Sequence, residues 1–393
     1  MAMTACRRWV PVTDAAGRCR LMMTDTYGTW YRRKTGRDMA GSGFLKRVVL
    51  GSAAAAAAAV WAMGPRSAQN RKAHGVHALP DVMYAHRGLH DAGSGLVPAY
   101  VAQSGEYVAL ARRMALRAGY GTADHVGPIA PENSMAAFAA ACEAGYGIEL
   151  DIQLTADGKV VVLHDADLLR VAGDPRRLED LTYDELCGIA LFPVPAKPGD
   201  SVAQPLSTGE SAETDVHVDA SGDGDQGQAS QGYFQHAPLL DDVLTLVEGR
   251  VPIIVEYKFS GYEWGTRQVE LMEKGAALLD DYEGAYAVES FHPMAMGWYA
   301  KHRPEVYRGQ LAADAAFDQS DIKDWAAGKL LGNWMSRPDF VAYDWHGGDA
   351  AQMRLVKAMG VTAVSWTLRS QEEFDRSAKR FSRHIFEAFV PRL

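Results

Sequence analysis

Cysteine is scarce: Cys6, Cys19, Cys142 and Cys187 are the only four in 393 residues. They form no CxxC pair and no metal-ligand spacing, so the chain offers neither a thiolate metal centre nor a dithiol redox motif. Cys142 lies on an apolar helical face and reads as a small buried hydrophobe. Cysteine usage leaves the compartment open.

Positive charge thins out after the first 47 residues. That stretch carries ten Lys/Arg against Asp14, Asp25 and Asp38, while the whole chain has a net charge of −9. The remainder is therefore about −16, which argues against nucleic acid as a partner. Long hydrophobic runs are lacking too, with one exception. Residues 48–64, VVLGSAAAAAAAVWAMG, are uncharged, with Lys46-Arg47 before them and Arg66 after. Their length is at the short end of the membrane-spanning range, and alanine is only weakly apolar. Three readings compete: an uncleaved membrane anchor, a late signal peptide, or a soluble Ala-rich helix. Starts at Met22, Met23 or Met39 would bring the stretch nearer to a signal peptide's usual position. The basic preamble favours an N-terminus inside and the following domain outside a cell membrane. A secreted or a cytoplasmic chain is the alternative.

What is present suffices for a sizeable core: 48% of residues are hydrophobic and 23% charged. The length fits one α/β barrel with extensions. The expected organisation is a preamble over 1–47, the apolar segment over 48–64, and a barrel over 82–393. Candidate strands are Val82–His86, Gly147–Asp151, Val160–His164, Pro252–Glu256, Tyr286–Ser290, Val306–Gln310, Phe340–Asp344 and Thr362–Trp366. Eight runs in mostly βα order predict a (β/α)₈ barrel. A helix is expected over Glu132–Ala144, where Met135, Phe138, Ala139 and Cys142 repeat with helical period and Gly145 offers a C-cap. The second and third runs are too close together for a helical crossover between parallel strands. Either the barrel is distorted there, or one run is not a barrel strand. Residues 91–128 and 195–236 read as insertions. Tyr107–Ala118 in the first is a candidate helix that would form a lid. The second is acidic and rich in Gly, Ser and Gln, a solvated loop. Its GDGDQG lacks a full EF-hand pattern.

Chemistry-bearing residues fall at the ends of the first four runs: His86-Arg87, Glu149-x-Asp151, His164-Asp165 and Glu256-x-Lys258. In a barrel those ends converge on one mouth. Glu149 and Asp151, two apart on a strand, share a face and would repel each other if buried unpaired. One divalent cation shared with Glu256 is the simplest way to keep them ionised, and oxygen ligands suit Mg²⁺ or Ca²⁺ better than zinc. Any one of these charges alone reads most simply as a solvated strand end, but four strands ending this way do not. His86 and His164 fit a general acid–base pair, and Arg87 and Lys258 fit the neutralisation of phosphate oxygens. Metal, cations and histidines together describe phosphodiester cleavage better than sugar hydrolysis.

The motifs AHRGLHD, PENSMAAFAAACEAGYGIELDIQLTADGKVVVLHDADLLRVAG, LTYDEL, PLLDDVL and RVPIIVEYK resemble the glycerophosphodiester phosphodiesterases in order and spacing. VESFHP, RGQL, RPDFVAYDW and VSWTLRSQEEFDRSAKRFSRHIFEAFVP continue the likeness, so that it covers about residues 83–391, interrupted by the two insertions. The resemblance implies a TIM-type barrel that tolerates the short second connection. It implies hydrolysis of small or lipid-derived glycerophosphodiesters to glycerol 3-phosphate and an alcohol. It makes Glu149, Asp151 and Glu256 the metal ligands, His86 the general base and His164 the general acid. Arg87 and Lys258 become phosphate contacts, and Phe291 and Trp366 apolar walls near the substrate. Glu132 and Asn133 match a motif that would orient the ligands from behind. Lysophospholipids and a polyglycerophosphate are alternative substrates for the same metal site, and a non-catalytic phospho-alcohol-binding barrel would be expected to have lost a histidine or carboxylate.

Overall fold

Two-residue alternation along short apolar runs decides the architecture, because it gives each strand one face for the barrel interior and one for the surrounding helices. The computed structural model describes residues 8–13, 19–24, 30–31, 54–193, 233–315 and 322–393. It divides into two units, Met1–Ala58 and Ala59–Leu393. Where the sequence suggested only a basic preamble, the first unit contains an antiparallel sheet of Arg8–Thr13, Cys19–Thr24 and Trp30–Tyr31, in that order.

The second unit is the barrel. Its labelled strands are β1 (Met83–His86), β2 (Gly147–Leu154), β3 (Val160–Val162), β4 (Ile253–Tyr257), β5 (Tyr286–Ser290), β6 (Arg308–Ala312), β7 (Phe340–Asp344), β8 (Thr362–Leu368) and β9 (Arg383–Phe386). All except β3 pair in parallel, and β9 closes onto β1. The third run of the sequence reading is therefore not a barrel strand. β3 lies antiparallel on the outer end of β2, Ile152 opposite Val162, and an antiparallel return needs only a tight turn. Gly158 makes that turn at φ 72°, while Thr155 and Lys159 close it by a backbone bond of 3.0 Å. The eighth barrel strand is β9, which the sequence reading did not count.

Ile148, Leu150, Ile152, Ile253, Val255 and Tyr257 face outward into the strand–helix layer. Tyr84, Ile254, Ala287, Phe340, Val364 and Ile385 fill the interior. Burying each large apolar side chain contributes about 1.5–3 kcal/mol. Gly309 is required in that interior, since a Cβ there would come within 2.2 Å of the Phe340 ring. Above this plug the inward positions turn polar, and that change marks the mouth.

Helix α1 (Val101–Arg117) is longer than the expected Tyr107–Ala118 and is not a lid. It packs on α2 (Met135–Ala144) through buried Tyr107, Ala111 and Ala115. Ser134 caps α2, its Oγ accepting the Ala137 amide, and Gly145 ends it at φ 77°. Cys142 is free and half-buried against the same core.

The apolar segment is described from residue 54, and 48–53 lie outside the described residues. Residues 54–63 are helical, and among the described residues no helix is long and apolar enough to cross a membrane. Within the barrel unit, Asn333 donates to the Met63 carbonyl at 3.1 Å and Arg337 to the Gly64 carbonyl at 2.8 Å. Residues 194–232 of the second insertion also lie outside the described residues.

Candidate active site

Register brings the carboxylates together. His86 on β1 is level with Glu149 on β2, and Asp151 with Glu256 on β4. Carboxylate oxygens of Glu149, Asp151 and Glu256 lie within 4.8 Å of one another, all three residues buried. Burial, then the Asp151 and Glu256 charges, push the Glu149 carboxyl well above its usual range, and burial raises Glu256 too. Burial also opposes ionisation of Asp151, yet Lys258, His164 and Arg87 hold it below the usual range. Asp151 Oδ1 accepts no hydrogen bond, although Lys258 Nζ stands 3.1 Å away. Three converging carboxylates with an unused oxygen fit a hard divalent cation. Asn133 orients the set, donating its amide to Asp151 Oδ2 at 2.9 Å.

The ring of His86 is held from behind. Its Nδ1 faces Glu387 Oε2 at 2.5 Å, which assigns the proton to Nδ1 and leaves the Nε2 lone pair toward Glu149, 3.8 Å away. Ser94 Oγ donates to the same Glu387 oxygen at 2.6 Å, and Arg369 Nε to the other at 2.7 Å. Burial pushes the His86 imidazole down to about 4, outweighing the pull of Glu387. Burial opposes the Glu387 charge as well, but His86 and Arg369 hold its carboxyl well below the usual range. The pair is thus a neutral imidazole backed by a carboxylate. Across the mouth, His164 lines the cavity with its Nδ1 fixed by Asp165 at 2.5 Å.

Arg87 is buried with φ 59°, its NH1 2.7 Å from Glu132 and its Nε 3.3 Å from Asp151. Glu132, held near 2 by Arg87 and Arg170 despite its burial, also ties Arg170 to this network. Lys258 Nζ pairs with Glu256 at 2.7 Å. Phe291 and Trp366 meet edge to face, centroids 5.6 Å apart. His86, Arg87, Glu149, His164, Glu256, Lys258, Phe291 and Trp366 line one cavity of about 170 Å³. Asp151 lies beneath it, at 0% exposure. Every residue singled out from sequence for this site thus belongs to one cluster.

Sequence reasoning missed Glu387, Ser94, Arg369 and Glu289. Glu387 follows the uncounted strand β9, and reading RHIF as a strand would have exposed its strand-end carboxylate. Ser94 is the part of the 91–128 insertion that reaches the cavity.

The Glycerophosphoryl diester phosphodiesterase family profile matches residues 122–384. The chain belongs to that family. The match begins after His86 and Arg87, which the first insertion separates from the other motifs and the β1–β2 register returns to them. A Bacillus altitudinis glycerophosphodiester phosphodiesterase is 26% identical over 190 residues, 47% of this chain and 62% of that protein. An uncharacterized Bacillus subtilis protein is 28% identical over 189 residues, 48% of this chain and 63% of that one. The matched region thus spans less than two thirds of these relatives' own length. Among solved structures, an Oleispira antarctica phosphodiesterase in complex with the product sn-glycerol-3-phosphate is 16% identical with a TM-score of 0.48, over 78% of this chain and 93% of that one. A Thermotoga maritima glycerophosphodiester phosphodiesterase is 18% identical with a TM-score of 0.45, over 79% and 96%.

Proposed function

We propose that this family member hydrolyses glycerophosphodiesters to glycerol 3-phosphate and an alcohol with the help of one divalent cation, Mg²⁺ or Ca²⁺. The observation that carries the reading is the convergence of Glu149, Asp151 and Glu256 between two histidines, each with its Nδ1 fixed by a carboxylate. His86 takes the proton of the nucleophile, which is water or the substrate's own neighbouring hydroxyl. The new P–O bond forms as the bond to the alcohol breaks, and His164 delivers a proton to the departing alkoxide; where the hydroxyl attacks, water then opens the cyclic phosphate by the same exchange of P–O bonds to give glycerol 3-phosphate. Arg87 and Lys258 neutralise the non-bridging oxygens. A divalent cation held by Glu149, Asp151 and Glu256 would supply Lewis-acid stabilisation of the charge on the phosphoryl oxygens.

Larger leaving alcohols have room. A second hollow of about 330 Å³ shares Glu256, Lys258 and Phe291 with the cavity and adds Phe259 and Tyr262. Phe291 and Tyr262 are 42% and 37% exposed there, an aromatic wall that suits a leaving alcohol bulkier than choline. The test is a panel of glycerophosphocholine, glycerophosphoethanolamine, a lysophospholipid and a polyglycerophosphate, each with Mg²⁺ and with Ca²⁺. Release of glycerol 3-phosphate from the first two is expected. Turnover of none of the four would overturn the reading.

A further inference from the structure

One buried carboxylate at the mouth has no task in this chemistry. Glu289 lies on β5 directly beside Glu256 in the ladder. It is 1% exposed, lines the catalytic cavity, and is not among the three carboxylates that converge within 4.8 Å. Its Oε2 is sealed from solvent without a hydrogen-bond partner, and among the described residues no cation stands within ion-pair distance. Leaving such a group unpaired is costly, so a ligand that completes it gains correspondingly. The neighbouring wall, Phe291 and Trp366, suits a short carbon chain.

We propose that Glu289 reads the terminal hydroxyl of the substrate's glycerol moiety. This inference rests on the function proposed above and narrows it to diesters whose polyol carries a free hydroxyl beyond the one next to the phosphate. Phosphorus belongs between the carboxylate triad and the two histidines. Glu289 stands one strand further round than Glu256 and lines the same cavity as Phe291, so a chain that extends from phosphorus along that wall runs toward it. A carboxyl group pairs with a neutral hydroxyl as acceptor when ionised and as donor when protonated. Lys258 already supplies the positive charge at this side of the cavity, which favours a hydroxyl over an ammonium as the partner.

The experiment compares glyceryl p-nitrophenyl phosphate with 2-hydroxypropyl p-nitrophenyl phosphate, which lacks only the terminal hydroxyl. The natural chain should prefer the glyceryl ester in kcat/KM by about 30-fold or more, the scale of a lost charge-assisted hydrogen bond. In Glu289→Leu that preference should fall below about 5-fold, whereas Glu289→Gln, which still pairs with a hydroxyl, should keep most of it. Mg²⁺ titration by calorimetry separates a substrate contact from a metal ligand. An absent preference in the natural chain, which needs no variant to fold, would overturn the inference alone. So would equal losses on both esters accompanied by weakened Mg²⁺ binding. Failure of the natural chain to cleave either ester would overturn the proposed function as well.

Discussion

His86 owes its usable lone pair to Glu387, and that dependence can be measured. Replacing Glu387 by Gln keeps the shape but removes the charge that fixes the Nδ1 proton. The expected loss in kcat/KM is about 10–100-fold, the range for a residue that orients a reacting group from behind. The loss should be the same on glycerophosphocholine and on a p-nitrophenyl ester, because the base acts on the nucleophile. His164→Ala should behave differently. A choline alkoxide needs a proton to depart and p-nitrophenolate hardly does, so the variant should lose about 10²–10⁴-fold on the first and much less on the second. Equal losses for His164→Ala would remove it from the role of acid. At this scale the sequence was informative where a charge ended a visible strand, as at His86, Asp151 and Glu256. It was silent at Glu289, which sits inside the run Tyr286–Ser290 and looks like part of it.

The elements were legible where a run was apolar, short and bounded by turns. Tyr286–Ser290 and Phe340–Asp344 occur with the bounds read from sequence. The run at Val160 misled because period-two alternation is the same for parallel and antiparallel strands. The short connection before it was the informative signal. Strand β9 escaped because Arg383-His384 opens it with polar residues, leaving only Ile385 and Phe386 to advertise it. The acidic insertion leaves the barrel through a narrow neck: Leu191 donates to the Gln235 carbonyl at 2.7 Å. Its two ends are thus already joined, and a short linker spans them at little closure cost. Deleting Ala203–Gly232 and joining the ends with a few Gly/Ser residues should change the melting temperature by no more than a few degrees. A larger drop would show that the segment packs against the barrel.

For the molecule as a whole, His384 predicts an acid limb of stability. It is buried on β9 beside Ser365 Oγ at 2.8 Å, and burial pushes its imidazole down to about 4. The unfolded chain takes up a proton near the ordinary value of ~6.5, which the folded chain resists. Stability is therefore present above that value and lost as pH falls toward 4, by up to about 1.4 kcal/mol per pH unit from this one group. Denaturant unfolding of the natural chain and of His384→Gln across that range should show a shallower slope for the variant. Identical slopes would contradict the assignment. The raised carboxyls of Glu149 and Glu256 act in the opposite sense, and they cancel in the comparison because both proteins carry them.

Those same carboxyls hold the central claim, that Glu149, Asp151 and Glu256 form the divalent-cation site on which phosphodiester cleavage depends. The most direct measurement is hydrolysis of glycerophosphocholine by the full chain after EDTA treatment and again after Mg²⁺ or Ca²⁺ is restored. Activity should vanish in the chelator and return with the cation, and Glu256→Gln should need a higher cation concentration for its residual rate. Full activity in excess EDTA would contradict the site.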